Sequence, residues 1–295
     1  MRTTLLAFCA LLVACASGAG SEMSPAPAEP GVATAEAPLR IVSLSPTHTE
    51  TLFALGAGDQ VIAVDDQSNY PEGAPTTDLS GFQPNVEAIA GYEPDLVVLS
   101  DDIEDVSAGL QAVGVDTLLL EAPASLDDVY DQIARLGMAV GREEEAADLV
   151  ASMRDEIDAL VAEVPERAEP LRYYHELDDQ LYTVTSGTFI GQVYALAGLE
   201  SVADAADPGG QAGGYPQLSP EFLVEADPDL IFLADVKCCG QSAATVAERP
   251  GLSALTAVQQ GRVIELDDDV ASRWGPRVVD LLRAMVEATA AVPVG

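Results

Sequence analysis

Residues 82–89 have the sequence Phe-Gln-Pro-Asn-Val-Glu-Ala-Ile, and residues 94–99 are Pro-Asp-Leu-Val-Val-Leu. The same order returns later: residues 215–217 are Tyr-Pro-Gln, residues 219–223 are Ser-Pro-Glu-Phe-Leu, and residues 228–233 are Pro-Asp-Leu-Ile-Phe-Leu. Each copy contains an aromatic residue followed by polar residues. The pattern after them predicts a turn, a short helix with a glutamate in its first turn, and a buried strand. Pro-Asp before an apolar run is common in α/β proteins, but the shared order of the flanking parts favours a duplication.

A second pair of segments extends the duplication. Leu-Phe-Ala-Leu-Gly at residues 52–56 is matched by Val-Tyr-Ala-Leu-Ala at residues 193–197. Strand and helix patterns alternate through both halves, which predicts parallel sheets flanked by helices. We therefore expect an α/β fold with two similar lobes and a ligand cleft between them. In the second lobe the pattern also predicts a strand at residues 181–185 and a closing helix at residues 274–291.

A long helix is predicted between the two copies. Residues 143–164 contain no Gly or Pro, and their apolar residues recur at helical spacing on one face. That stripe consists of Leu149, Met153, Ile157, Leu160 and Val164. The predicted domains are an N-terminal lobe at 39–141, a bridging helix at 142–166 and a C-terminal lobe at 167–295. Because a single stiff helix joins the lobes, we expect little closure on ligand binding.

The N-terminal residues indicate a secreted protein with a lipid anchor. An apolar run ends at Ala14 and is too short to span a bilayer, so residues 1–14 are predicted to be a signal peptide. Leu-Val-Ala-Cys at residues 12–15 resembles a bacterial lipoprotein cleavage box, in which Cys15 would become the acylated first residue. An ordinary signal peptide with an incidental cysteine is the alternative. The remainder of residues 15–38 is predicted to be a flexible tether, which places the globular part outside the cytoplasmic membrane.

Charge and cysteine content limit the partners. The formal net charge is −36, with Lys237 as the only lysine, and such a field repels nucleic acid and anionic lipid, so neither is an expected partner. After signal cleavage the cysteines besides Cys15 are the neighbours Cys238 and Cys239, in a compartment that permits oxidation. Neighbouring Cα atoms lie about 3.8 Å apart, below the usual disulfide range. A reduced pair and a vicinal disulfide therefore both remain open.

Motifs for enzymatic chemistry are missing from the sequence. There is no Gly-x-Ser-x-Gly elbow and no Gly-x-x-x-x-Gly-Lys phosphate loop. The acidic runs at residues 101–105 and 267–269 lack the glycine of a calcium loop, and two histidines without metal spacing do not predict a zinc site. We therefore expect neither an enzyme nor a metal site nor a cofactor. A pure interaction or adhesion protein remains a third possibility, which would need no ligand-sized cleft.

Several motifs together resemble a known family. These are Ser-Leu-Ser-Pro at residues 43–46, Thr-Glu-Thr-Leu-Phe-Ala-Leu-Gly at 49–56, Asn-Tyr-Pro at 69–71, the two glutamate-bearing helices and the central helix. In this order, from about residue 39 to residue 291, they resemble the helical-backbone class of solute-binding proteins. That family serves bacterial ABC importers for vitamin B12, ferric siderophores and haem. The resemblance implies a monomeric binding protein that delivers a small molecule to a dimeric permease.

The resemblance also implies docking residues. In the family one glutamate on each lobe docks with arginines of the permease, and by motif position these are Glu87 and Glu221. Two equivalent carboxylates on a pseudo-twofold protein suit a twofold partner. The structural alternative is that each glutamate is only a helix-start acid favoured by the helix dipole.

The ligand implied most directly is cobalamin, because the loop at residues 68–71 and the aromatic residues ahead of the two docking helices resemble the vitamin B12 binders. Phe82 and Tyr215 stand where those binders usually have tryptophan. A corrinoid is a broad, partly apolar disc fringed with amides, which suits aromatic walls and a few hydrogen-bonding groups. The residues expected to bind it are Tyr70, Phe82, Tyr215 and Trp274 as walls and Ser186, Thr188 and Arg277 at polar edges.

Two other ligands remain open within the same family. An anionic ferric siderophore would favour cationic side chains, which Lys237, Arg273 and Arg277 would supply. Haem iron would need an axial tyrosine or histidine ligand, and the candidates are Tyr70, Tyr215, His48 and His175.

Overall fold

The computed structural model describes residues 39–294. A first, five-stranded parallel sheet has the order β3-β2-β1-β4-β5 and consists of β1 Ile41–Ser43, β2 Val61–Asp65, β3 Thr76–Leu79, β4 Leu96–Leu99 and β5 Asp116–Leu119. A second, four-stranded parallel sheet has the order β7-β6-β8-β9 and consists of β6 Leu171–Glu176, β7 Leu199–Ser201, β8 Leu230–Leu233 and β9 Val263–Glu265.

Helices connect the strands throughout. Those up to the second sheet are α1 Pro46–Ala54, α2 Val86–Ala90, α3 Val106–Ala112, α4 Leu126–Val140 and α5 Glu143–Ala162. Those that follow are α6 Phe189–Leu196, α7 Pro220–Ala226, α8 Val236–Cys239, α9 Ala243–Glu248, α10 Thr256–Gln259, α11 Asp268–Ser272 and α12 Val278–Ala291. The predicted α/β fold with two parallel-sheet lobes flanked by helices is confirmed. Within residues 39–294 no helix is both long and apolar enough to cross a membrane.

The hydrophobic core runs through both lobes. Successive residues of a strand face opposite sides of a sheet, and accordingly Val97 lies in a cluster of the first lobe alone while Val98 lies in a larger shared cluster. Ile231 and Phe232 divide in the same way in the second lobe. The shared cluster also contains buried residues of α4, α5 and α12. These three helices therefore join the inner faces of the two sheets into one core.

The long helix predicted between the copies is α5, which ends at Ala162. Its residues Met153, Ile157 and Leu160 are buried, and the helix packs against α4 and α12. In chain order α5 lies between β5 of the first sheet and β6 of the second. The predicted signal peptide, Cys15 and tether lie outside the described residues.

The repeated Pro-Asp pairs have the same structural role in both lobes. The Asp95 Oδ2 atom accepts a 2.8 Å hydrogen bond from the backbone N–H of Arg40, and Asp229 Oδ2 accepts one of 2.8 Å from Arg172. In return the backbone N–H of each aspartate donates to the carbonyl of the same arginine at 2.8 Å. This reciprocal pair fixes the start of β4 on β1 and the start of β8 on β6, so the sequence repeat is a repeat of strand register.

Three sequence expectations need correction. Gly56 (φ 70°) and Gly198 (φ 71°) both end their helices in the left-handed region, so residues 52–56 correspond to 194–198 rather than 193–197. Residues 181–185 form only an isolated bridge, between Tyr182 and Gln217, and not a strand. The closing helix begins at Val278 rather than at residue 274 because Pro276 disfavours helical backbone at the residue before it.

Candidate functional site

A buried carboxylate joins the two lobes. Glu50, on α1 of the first lobe, has a side chain that is only 2% exposed. It accepts hydrogen bonds from Arg273 Nη1 at 2.6 Å and from Arg277 Nε at 2.8 Å, with a further bond from Arg277 Nη2. Both arginines belong to the segment from α11 to α12. Charge-assisted bonds of this length are the strong class of hydrogen bond, so Glu50 ties α1 firmly to the second lobe.

Arg273 also binds the loop that follows β2. Its Nη2 atom donates to the carbonyl of Gln67 at 3.0 Å, to Asn69 Oδ1 at 2.9 Å and to Asp269 Oδ1 at 2.8 Å. Asn69 Nδ2 in turn donates to Asp269 Oδ2 at 3.2 Å. The loop of the first lobe and α11 of the second are thus joined by side chains from both sides.

The next residue of that loop, Tyr70, contacts the network through its ring. The Arg277 guanidinium carbon lies 4.2 Å from the ring centroid of Tyr70, which is a cation–π contact. Glu50 therefore positions Arg277, and Arg277 covers one face of Tyr70. The rest of the Tyr70 ring is accessible to solvent, since the residue is 47% exposed.

Lys237 extends the network along the second lobe. Its Nζ atom donates to Asp267 Oδ1 at 2.6 Å and to Asp269 Oδ2 at 3.2 Å, and the hydrogen bond to Asp267 raises the pKa of the amine. Three cations, Lys237, Arg273 and Arg277, are thus matched by three carboxylates, Glu50, Asp267 and Asp269. The junction between the lobes carries no surplus positive charge.

A small, mostly apolar cavity of about 140 Å³ lies beside this network. Its walls include Pro123 from the segment ahead of α4, Phe189 of α6, Tyr215, Arg273 and Trp274. A larger cavity of about 590 Å³ lies at α7 and α9, but every residue that lines it falls between 179 and 252 in the second lobe. Of these two, the smaller cavity is the better candidate for a ligand site because its lining includes Arg273 and Trp274, which both contact the first lobe.

Trp274 also contacts the first lobe. The Trp274 and His48 rings meet edge to face, with centroids 6.4 Å apart. His48 is buried, its Nε2 lies 3.4 Å from Gln132 Oε1, and burial lowers the pKa of His48 to about 4. The imidazole is therefore neutral at pH 7 and serves as a packing surface for the tryptophan.

The structure brings together some of the expected ligand-binding residues. Tyr70 contacts Arg277, and Tyr215 lines the same cavity as Trp274. Phe82 is 74% exposed in the loop ahead of α2 and makes no wall of this cavity.

Ser186 and Thr188 do not line this cavity and make hydrogen bonds within the second lobe, and Lys237 makes the ion pairs described above. Ser186 bonds Asp204 through its backbone N–H at 2.8 Å. The hydroxyl of Thr188 is used within the fold, since it caps α6 by accepting from Gly191 N–H at 3.0 Å and donates to the Thr185 carbonyl at 2.9 Å.

Sequence reasoning misses the three carboxylates of this site. Glu50 stands within a family motif without a role of its own, and Asp267 and Asp269 stand within an acidic run that predicts no site. A usable signal is the spacing of Asp269, Arg273 and Arg277, which are four residues apart and place one carboxylate before two guanidinium groups.

The two predicted docking glutamates occupy matching positions. Glu87 is the second residue of α2 after the capping residue Asn85, and Glu221 is the second residue of α7 after the capping residue Ser219. Both side chains are exposed. Their docking role stays a prediction.

The open question of the adjacent cysteines has an answer in the structure. Cys238 and Cys239 form a vicinal disulfide, with Cα atoms 3.8 Å apart. Both residues are exposed and form the end of α8. In the part of the chain that is described, no group of three or more His, Cys, Asp or Glu residues could hold a metal ion.

Comparisons with known proteins agree with this architecture. A family model described as "Periplasmic binding protein" matches residues 41–270. Over 260 residues the chain is 32% identical to a protein of Halobacterium salinarum named "Cobalamin-binding protein", covering 85% of this chain and 69% of that protein. It is 30% identical over 260 residues to a Bacillus subtilis protein named "Uncharacterized ABC transporter substrate-binding lipoprotein YvrC", covering 85% and 80% of the two chains.

A solved structure shows the same fold. The "Periplasmic heme-binding protein RhuT" of Roseiflexus sp. RS-1 is 28% identical and superposes with a TM-score of 0.74. The superposition covers 86% of this chain and 100% of that chain. The two-lobe arrangement is therefore shared with a protein of this class.

We expect the substitution Glu50→Gln to lower the free energy of unfolding by about 3 kcal/mol, because removing one partner of a buried ion pair leaves the other charges buried and uncompensated. Urea denaturation measures this change. Glu72→Gln, at an exposed loop position, is the control and should change stability by less than about 0.5 kcal/mol. Equal stabilities of the two variants would contradict a buried interlobe ion pair.

The buried histidines predict a loss of stability in acid. Burial lowers the pKa of His48 and of His175 to about 4 in the folded chain, from 6.5 when unfolded. Their stabilisation is therefore complete above pH 6.5 and is lost as the pH falls to about 4, by up to about 3 kcal/mol each. Asp65 and Asp235, whose pKa values burial raises, act in the opposite direction.

The measurement for this prediction is the difference between the wild type and His48→Gln or His175→Gln in urea unfolding at pH 7, 6 and 5. The wild type should lose more stability than each variant as the pH falls. Parallel curves for wild type and variants would show that these histidines do not titrate differently on unfolding.

Proposed function

The chain belongs to the periplasmic binding protein family, and we propose that it is the extracytoplasmic solute-binding lipoprotein of an ABC importer, capturing cobalamin or a related corrinoid. It is a solute binder and not an enzyme. The observation that carries the choice of ligand is the charge balance between the lobes, where Lys237, Arg273 and Arg277 are all paired with carboxylates.

This balance favours a ligand without strong negative charge. A ferric siderophore with anionic oxygens would gain most from free cations, but using the three cations would require breaking their bonds to Glu50, Asp267 and Asp269. Removing Arg277 from the buried Glu50 carboxylate is costly because it breaks a buried ion pair and leaves Arg273 as the remaining partner. An amide-fringed corrinoid needs hydrogen bonds and apolar walls instead, and the residues around the small cavity beside Trp274 and Tyr215 and the exposed ring of Tyr70 would each contact part of so broad a ligand.

The names of relatives support the same ligand. The Halobacterium salinarum relative is named for cobalamin binding. We propose that Tyr70, Phe82, Tyr215 and Trp274 form the walls around the corrinoid, and that Ser186, Thr188 and Arg277 approach its polar edges. For Thr188 and Arg277 this role would add to the capping and ion-pair contacts described above.

A haem or ferric-siderophore protein of the same family is the second candidate. Its support is the solved structure named for heme binding and the half-exposed phenols of Tyr70 and Tyr215, since tyrosine is an axial ligand of haem iron in some proteins. The two candidates are distinguished by which compound binds saturably, cyanocobalamin in the first case and haemin or a ferric chelate in the second.

We further propose that acylated Cys15 holds the protein at the outer face of the cytoplasmic membrane, with residues 16–38 as the tether and a monomeric globular part. The partner there is the dimeric permease of the importer. The name of the Bacillus subtilis relative, which includes both "substrate-binding" and "lipoprotein", supports this arrangement.

We expect cyanocobalamin to quench the fluorescence of Trp274 in a saturable manner. Trp274 is the only tryptophan in the chain and lines the proposed site, so its emission reports on that site alone. Parallel titrations with haemin and with ferric hydroxamate or catecholate chelates test the alternative. Saturable binding of one of those and not of cyanocobalamin would reject the corrinoid proposal.

In the same assay Tyr70→Ala should weaken cyanocobalamin binding by about tenfold, the factor for one lost aromatic contact. Tyr92→Ala is the matched control, because Tyr92 is also exposed but lies away from the junction, next to the Arg40 clamp. Equal losses in the two variants would remove Tyr70 from the site.

Charge reversal at the docking positions should separate binding from transport. We expect Glu87→Arg and Glu221→Arg each to leave cyanocobalamin affinity unchanged and to lower uptake by about tenfold, because charge pairs at an interface steer encounter and fix register. Uptake of labelled cobalamin by cells measures the effect, with Glu72→Arg as the control. Normal uptake with both reversed residues would refute the docking role.

A further inference from the structure

We propose that α8, closed by the Cys238–Cys239 disulfide, positions the interlobe network, so that the oxidation state of these two cysteines sets ligand affinity. The proposal rests on the proposed solute-binding function and adds a regulation of the same site. It assigns Lys237 the role of a positioning residue.

Helix α8 depends on contacts outside itself. It contains only the residues from Val236 to Cys239, far fewer than a helix needs to persist alone in water. The carboxylate of Asp268 holds its first turn by accepting from the backbone N–H groups of Val236 at 2.9 Å, of Lys237 at 2.9 Å and of Cys238 at 2.8 Å. The disulfide closes a covalent ring over the last two residues and so restrains the other end of the helix.

The contacts of α8 lead directly to the first lobe. Lys237 Nζ binds Asp267 and Asp269 of the segment at α11. Asp269 is bound at the same time by Arg273 at 2.8 Å and by Asn69 at 3.2 Å, and Asn69 precedes the proposed ligand wall Tyr70. A change in the position of Lys237 therefore alters a carboxylate that both lobes share.

The disulfide is open to reductants in solution. Cys238 and Cys239 are both exposed, so reduction needs no unfolding of the core. In the reaction a dithiol gives two electrons and two protons to the S–S bond, Cys238 and Cys239 become two thiols, and the dithiol closes its own disulfide. The reduced helix loses its covalent restraint, and Lys237 is then held less firmly on Asp267 and Asp269.

The test uses the full-length chain carrying C9S and C15S, so that Cys238 and Cys239 are the only thiols. Thiol counting before and after treatment with dithiothreitol establishes each state, and cyanocobalamin affinity is measured through Trp274 fluorescence. We expect reduction to weaken binding by about two- to fivefold, the factor that corresponds to loosening exposed ion pairs. C238S/C239S should bind like the reduced chain and should not respond to dithiothreitol.

Lys237→Met tests whether the effect of reduction on ligand affinity passes through the side chain of Lys237. If the effect passes through Lys237, this variant should bind as weakly as the reduced chain, and reduction should weaken it no further. Arg154→Met is the matched control, because Arg154 is also an exposed cation, paired with Asp127 at 3.0 Å on α4, and it should keep the response. Equal affinities of the oxidised and reduced wild type, or additive effects of Lys237→Met and reduction, would overturn the proposal.

Hydrogen exchange tests the proposal without any ligand. Reduction should speed amide exchange at residues 236–239 and also at residues 66–70 of the first lobe. Faster exchange confined to residues 236–239 would reject the coupling between α8 and the junction. If cyanocobalamin does not bind at all, the proposed ligand fails while this measurement still decides the coupling.

Discussion

The arrangement of the lobes depends on Glu50, a carboxylate that one lobe buries against two guanidinium groups of the other. Burying these charges has a large desolvation cost, which is offset only while the geometry and the additional hydrogen bonds are kept. The lobes therefore cannot separate at this point without breaking the hydrogen bonds from both arginines to Glu50. The shared core of α4, α5 and α12 acts as a second, apolar restraint. One edge of the junction is held by packing and the other by ion pairs, and the site lies beside the ion pairs.

Equivalent helices of the two copies both contact a segment outside their own sheet. The two copies differ, however, in the side chain that makes this contact, and that difference places the charge on one side of the junction. With Gly56 matched to Gly198, Glu50 on α1 corresponds to Gln192 on α6. Gln192 Nε2 donates to the carbonyl of Ala124, the residue before the cap of α4, at 2.6 Å. Both equivalent side chains thus extend from the first helix of their lobe to a segment outside that lobe's sheet. The first copy has a charge at this position and the second has a neutral amide, so a symmetric scaffold carries an asymmetric site.

Sequence patterns predicted the parts whose cause is local. The helix α5 and the buried strands that follow each Pro-Asp pair are predicted from spacing within about twenty residues, whereas the clamp that joins Asp95 to Arg40 spans 55 positions. The site does not, because Glu50 and Arg273 are 223 positions apart and composition gives no sign of their pairing. Thr188 is a different case, because the hydroxyl that we propose to approach a ligand also caps a helix, as a threonine ahead of an apolar helix often does. For Lys237 the sequence suggests a cation for an anionic ligand, and no local pattern indicates the pairing with acidic residues thirty positions later that the structure shows.

The network has a buried inner layer, the pair of Glu50 and Arg273, and an exposed outer layer, the pair of Lys237 and Asp267. The two layers differ in their response to salt. Glu50 and Arg273 have side chains that are 2% and 8% exposed, so salt screens their attraction little. Lys237 is 53% exposed and Asp267 43%, and salt weakens ion pairs between exposed side chains. The inner layer sets the spacing of the lobes under all conditions in which the chain stays folded. The outer layer contributes less energy and is accessible to solutes, and it contains the disulfide-closed helix. Any adjustment of the site that leaves the fold intact must therefore act on the outer layer, since a change in Glu50 would affect stability and binding together.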